Sequence, residues 1–262
     1  MAGAVSRIFT SKVLETSHLV RSLGSYSSQI AKLSTQTKTK PPISEASELQ
    51  TSLIDPLKHP DFFGVHTLFT VKDLFDAKVH LGHKEGSLND HMRPYLFGSR
   101  QGHLIIDLDQ TAELLRDALN IAAHIAFRDG IILFLTRHPQ AVHLVEKTAA
   151  ECGEFSHARR WRDGTFTNSK KEFRAVTRLP DLCIFITSLD TVLEPHNAIR
   201  DAAKMCIPTI GVVDTNCDPC LITYPVPGND DTPSAIELYC KLFKTAIQRG
   251  KAARAKLMNH VE

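Results

Sequence analysis

No uncharged apolar run in these 262 residues approaches the roughly 20 that a spanning helix needs, which excludes a helical membrane span. Glycine-rich phosphate loops are missing as well: neither G-x-G-x-x-G nor G-x-x-x-x-G-K-[ST] occurs, so nicotinamide and ATP chemistry are disfavoured. There is no G-x-S-x-G elbow, which removes the commonest serine-hydrolase reading. Acidic residues are scarce at the start. Residues 1–40 hold Arg7, Lys12, Arg21, Lys32, Lys38 and Lys40 against the single acid Glu15, amid serines and threonines from Ser6 to Thr39. That composition, with no uninterrupted apolar core, fits a mitochondrial transit peptide; the alternative is a disordered basic tail. The formal net charge of +2 is therefore a sum over unlike parts, +5 in the leader and −3 in residues 41–262.

Residues 41–69 read as an extended arm, because Pro41, Pro42, Pro56 and Pro60 prevent a long helix. Phe62, Phe63, Leu68 and Phe69 are its candidate anchors on a neighbour. From residue 70 to 262 helix and strand patterns alternate. We expect a short helix near Val71–Val79, a strand over His103–Leu108 and a helix over Asp109–Phe127 capped by Asp109 and stopped by Gly130. Buried strands follow at Ile131–Thr136, Leu182–Thr187 and Thr209–Val213, with helices through Ala141–Ala150, His196–Met205 and Pro233–Leu257. Continuous β-branched runs separated by helices indicate parallel strands covered on both faces, hence a three-layer α/β sandwich of about five strands.

Two spacings have chelating potential, Cys217 with Cys220 as C-x-x-C and His80 with His83 as H-x-x-H. Plain packing is the competing account of Cys152, Cys183, Cys206 and Cys240, and six cysteines in a reducing compartment imply no disulfide framework. Positive charge is gathered at three places. Residues 157–178 hold Arg159, Arg160, Arg162, Lys170, Lys171, Arg174 and Arg178 with Trp161, Phe166 and Phe173 interleaved. Arg249, Lys251, Arg254 and Lys256 form a second cluster; Lys78, His80, His83, Lys84, His91, Arg93 and Arg100 form a third. Arginine forks pair with phosphate and exposed aromatics stack on bases, so together the clusters suggest one RNA-docking surface. Trp161, the sole tryptophan, is equally a candidate core anchor.

The ordered motifs V-H-L-G-H (79–83), M-R-P-Y-L-F-G-S-R (92–100), H-L-I-I-D-L-D-Q-T (103–111), R-R-W-R-D-G-T-F-T-N (159–168), L-P-D (179–181), V-V-D-T-N-C-D-P (212–219) and P-V-P-G-N-D-D (225–231) resemble the small-subunit ribosomal protein S-two family over about residues 70–257. With the basic leader, the chain resembles that family's mitochondrial member. The resemblance implies a flavodoxin-like sheet of order 2-1-3-4-5, no enzymatic activity and no cofactor. It also implies a structural place in the mitochondrial small ribosomal subunit, against rRNA and neighbouring ribosomal proteins, with no small-molecule substrate. Its RNA-facing motifs map to His80, His83, Arg93, Arg100, Arg159, Arg160, Trp161 and Asn168, to which the local charge adds Arg162, Lys170, Lys171 and Arg174. The coiled-coil hairpin of bacterial relatives is absent, since Thr167–Lys170 reaches Leu179 within about a dozen residues, and the usual L-G-G after the tryptophan is replaced by Arg162–Asp163–Gly164. Asp214, Asp218, Asp230 and Asp231 would repel phosphate; they are suited to bracing loops, capping a helix or holding Mg²⁺. A matrix α/β enzyme or metal-binding protein that uses the strand-end loops is the alternative function.

Overall fold

A computed structural model of the protein describes residues 56–191 and 194–261, so the transit-like leader and the first part of the arm lie outside the described residues. The elements are α1 (Val71–Asp76), β1 (Leu81–Lys84), β2 (Leu96–Arg100), β3 (His103–Ile106), α2 (Leu108–Phe127), β4 (Ile132–Leu135), α3 (Val142–Cys152), β5 (Phe155–His157), α4 (Ser169–Glu172), β6 (Leu182–Phe185), α5 (Asn197–Lys204), β7 (Thr209–Val213), β8 (Tyr224–Pro227) and α6 (Pro233–Val261). β4 to β8 form a parallel sheet in the spatial order β5-β4-β6-β7-β8, which is the order 2-1-3-4-5.

The pleat of this sheet sorts its side chains into two cores. Ile132, Phe134, Leu182, Ile184, Ile210, Val212 and Val226 point into one core, with α2, α3 and α6. Leu135, Cys183, Phe185 and Val213 point into the other, closed by α5, Trp161, Phe166 and Met92. Strands buried on both faces explain why the apolar runs are continuous rather than alternating. α2 and α6 approach closely enough that a Cβ on Gly250 would collide with the Ala123 carbonyl, which accounts for a glycine inside a long helix.

Three expectations are corrected. The strand at His103 is not parallel: β3 sits between β1 and β2 in a separate antiparallel sheet. The β2–β3 turn is Gln101–Gly102, with φ of 55° and 76°, the mirror-image turn that suits a two-residue hairpin. The cap of α2 is Asp107, which accepts a 3.1 Å hydrogen bond from the Asp109 N–H, rather than Asp109. The sheet has the expected five parallel strands, but the sequence does not locate two of them, because β5 has three residues and β8 contains Pro225 and Pro227. Proline is tolerated there because β8 is an edge strand. Residues of the arm from Pro56 onward lie on this domain itself. Phe63 and Phe69 are buried, the first edge-on to His124 of α2, and Arg249 of α6 donates to the Gly64 carbonyl at 2.6 Å.

Candidate functional site

Parallel strands place all their following loops at one end of the sheet, and in an open α/β sheet that carboxyl end is where a ligand crevice forms. Here the loops after β4, β6, β7 and β8 enclose a crevice of about 300 Å³ lined by Arg137, His138, Thr187, Asp190, Asn216, Asp230 and Asp231, with His83 reaching in from β1. Its polar groups are largely engaged with one another. Arg137 pairs with Asp190 at 2.7 Å, and its backbone N–H donates to the Thr187 hydroxyl at 2.9 Å. Neither Arg137 nor Asp190 was singled out from the sequence; the apolar strand ahead of each carried no signal for a partner 53 residues away.

His83 stands between two carboxylates, with Nδ1 3.1 Å from Asp214 and Nε2 3.3 Å from Asp231. The Thr215 hydroxyl accepts from its backbone N–H, and a Cβ on Gly82 would strike the Thr215 methyl at 2.5 Å, so the L-G-H spacing serves this close approach. The Asp214 hydrogen bond, reinforced by the charges of Asp214, Asp231 and Asp230, outweighs burial and raises the imidazole to about 9, so it is charged at neutral pH. Burial, with Asp214 and Asp231 nearby, pushes the Asp230 carboxyl well above the ordinary range. Asn229 braces the turn before α6: its side-chain oxygen accepts from the N–H groups of Asp231 and Thr232, while its amide donates to the Lys78 carbonyl.

One imidazole and two carboxylates converging within 4.8 Å form a donor set of a kind divalent cations take, as do His91, Asp218 and Cys220 nearby. Among the described residues no such group joins the two members of C-x-x-C or of H-x-x-H. Cys217 is buried with its thiol donating to the Asn216 side chain, and Cys220 is exposed.

The expected RNA-facing residues fall into four sets. His80 and His83 are engaged: His80 is half-buried and stacked on Phe75 at 4.5 Å, with burial lowering its basicity. Arg93 and Arg162 are exposed but ion-paired, with Asp90 at 2.9 Å and Glu172 at 2.8 Å. Arg100, Arg159, Arg160, Asn168, Lys170, Lys171 and Arg174 are exposed, and none of the cations in this set has an acidic partner among the described residues. Trp161 is in the core, 5% exposed, its indole N–H donating to Asp201 at 3.1 Å.

The cluster on the last helix does not join the others. Lys251 donates to the Cys152 carbonyl at 2.6 Å and pairs with Glu154, Arg254 pairs with Asp129 at 3.1 Å, and Arg249 holds the 63–64 backbone. Glu154 and Asp129 precede β5 and β4, at the amino end of the sheet, whereas Arg159 and Arg160 follow the carboxyl end of β5. The three clusters therefore do not make one surface; the helix cluster ties the opposite end of the domain together.

The family model described as ribosomal protein S2 matches residues 74–182 and 170–250. The bovine small ribosomal subunit protein uS2m is 59% identical over 205 residues, covering 78% of this chain and 70% of that one. The uS2 proteins of Rickettsia bellii strain OSU 85-389 and Neorickettsia sennetsu are each 35% identical, over 69% of this chain and 76% and 74% of theirs. With its parallel sheet, its strand-end aspartates and its exposed arginine loop, the chain belongs to the ribosomal protein S2 family.

Proposed function

We propose that the protein is a non-enzymatic structural constituent of the mitochondrial small ribosomal subunit, held in the matrix-side mitoribosome by rRNA and by neighbouring ribosomal proteins. The observation that carries this reading is the match across the folded domain to a small-subunit relative at 59% identity. The basic leader of residues 1–40 supports import, and residues 41–69 and 70–262 serve as arm and ribosomal domain. Arg100, Arg159, Arg160, Lys170, Lys171 and Arg174, exposed and without an acidic partner among the described residues, are the groups we assign to rRNA phosphates, with Arg93, Arg162 and Asn168 as further contacts. We assign His80, His83 and Trp161 to shaping the loops that present these groups, since the first is stacked, the second ion-paired and the third buried.

A matrix enzyme would draw on the strand-end crevice. Several groups suited to its chemistry are instead turned on each other, His83 on Asp214 and Asp231, Arg137 on Asp190, and the Cys217 thiol on Asn216. Sedimentation of a tagged copy from mitochondrial lysate tests the proposal. The chain is expected in the small-subunit peak, and its confinement to the soluble fractions would overturn the reading.

A further inference from the structure

The β2–β3 hairpin carries a feature that neither the fold nor the strand-end site uses. Opposite β3, Leu96 faces Ile106 and Gly98 faces Ile105, so Phe97 is an extra residue on β2: a β-bulge. Bulges re-aim side chains and are favoured beside functional surfaces. Phe97 is 81% exposed, the most exposed phenylalanine among the described residues, although the same strand begins with a partly buried leucine. Gly98, next to it, has open space where a Cβ would stand, so no packing among the described residues demands a glycine there. Glycine at such a place leaves room for another molecule to come close to the backbone.

The same small sheet carries a row of basic residues. Lys84 of β1, His103 of β3 and Arg100 of β2 are direct register partners across the three strands and therefore share one face. None has an acidic side-chain partner among the described residues, although Glu85 follows Lys84 in the chain. An exposed aromatic ring on the same hairpin as a basic row is the combination that holds unpaired nucleic acid, the ring stacking on a base and the basic side chains following the phosphates.

We propose that this hairpin is an RNA prong: Phe97 stacks on an unpaired base of the small-subunit rRNA, and Lys84, His103 and Arg100 hold the flanking phosphates. The proposal rests on the ribosomal reading above and names one contact within it. A photo-reactive benzoylphenylalanine replacing Phe97 in the full chain, irradiated within assembled subunits, is expected to crosslink to rRNA at a nucleotide outside any helix. In cells that express a tagged variant beside the native chain, Phe97→Ala is expected to be under-represented in the small-subunit peak by about fivefold or more, and Phe97→Trp to match the native chain, because stacking tolerates any aromatic plane. Crosslinks to protein alone or to paired nucleotides, or equal incorporation of Phe97→Ala, would overturn the prong while leaving the ribosomal reading intact. Absence of the native chain itself from the peak would overturn both.

Discussion

His83 is held by two carboxylates, and this sets a pH window for stability. Its ordinary value is 6.5 in the unfolded chain and about 9 in the folded one. The folded state therefore binds more protons between these values, so the stabilisation is complete below pH 6.5 and is lost as pH rises through 9. The urea midpoint of the native chain is expected to fall between pH 7 and 9.5, and His83→Asn is expected to lack that part of the decline; parallel curves would show that the ion pairs contribute nothing. His196 has the opposite sign. Burial lowers it to about 4, and its Nδ1 accepts the Ala198 N–H at the start of α5. It must stay neutral to do so, and its contribution is lost as pH falls from 6.5 toward 4.

Trp161 illustrates how a residue type misleads when only its neighbours in sequence are visible. Among arginines, an aromatic ring reads as a stacking platform, yet this indole packs on Phe166 and donates to Asp201, 40 residues away. Trp161→Phe leaves a buried carboxylate short of a donor, which costs about 1–3 kcal/mol. A lowered denaturation midpoint is expected; an unchanged one would return the ring to the RNA surface.

At the scale of elements, legibility followed burial. β4, β6 and β7 are central, covered on both faces and written as apolar runs, so composition alone reveals them. β5 and β8 are edges, one short and one proline-bearing, and their apolar content is too small to stand out. β3 has the same apolar character as the parallel strands, and only its pairing partners show that it is antiparallel. The candidate site was half legible. His83, Asp214 and Asp231 could each be marked, but a meeting between residues 131 or more positions apart leaves no local trace.

The α2–α6 contact yields a prediction of reversed sign. In an exposed helix interior, replacing glycine by alanine gains about 1 kcal/mol. At Gly250 the added methyl would press on the Ala123 carbonyl and the Ala126 side chain, and overpacking of this kind costs about 1–3 kcal/mol. Gly250→Ala is thus expected to lower the thermal midpoint, and a rise would mean that the two helices separate without cost.

For the whole molecule, the distribution of charge matters more than its total. The net +2 conceals a leader of +5 and a body of −3, and within the body the two ends of the sheet use their cations differently. At the amino end Lys251 is bound to the carbonyls of Cys152 and Gly153 and to the buried Glu154, whose other oxygen accepts the Ile132 N–H. At the carboxyl end Arg159 and Arg160 are exposed and have no acidic partner among the described residues. Phosphate contacts release counterions, so they weaken steeply with salt, whereas buried pairs are screened little. Washing purified subunits with rising salt therefore separates the two roles. Reversing both arginines, Arg159→Glu with Arg160→Glu, is expected to release the protein at lower salt while leaving its unfolding midpoint within about 0.5 kcal/mol of the native value, as for other surface changes. Lys251→Gln is expected to do the reverse, lowering stability by about 1–3 kcal/mol through the unsatisfied Glu154 while leaving the salt of release unchanged. If both variants shifted the salt of release equally, the amino end too would face RNA, and the division of labour between the two ends of the sheet would be wrong.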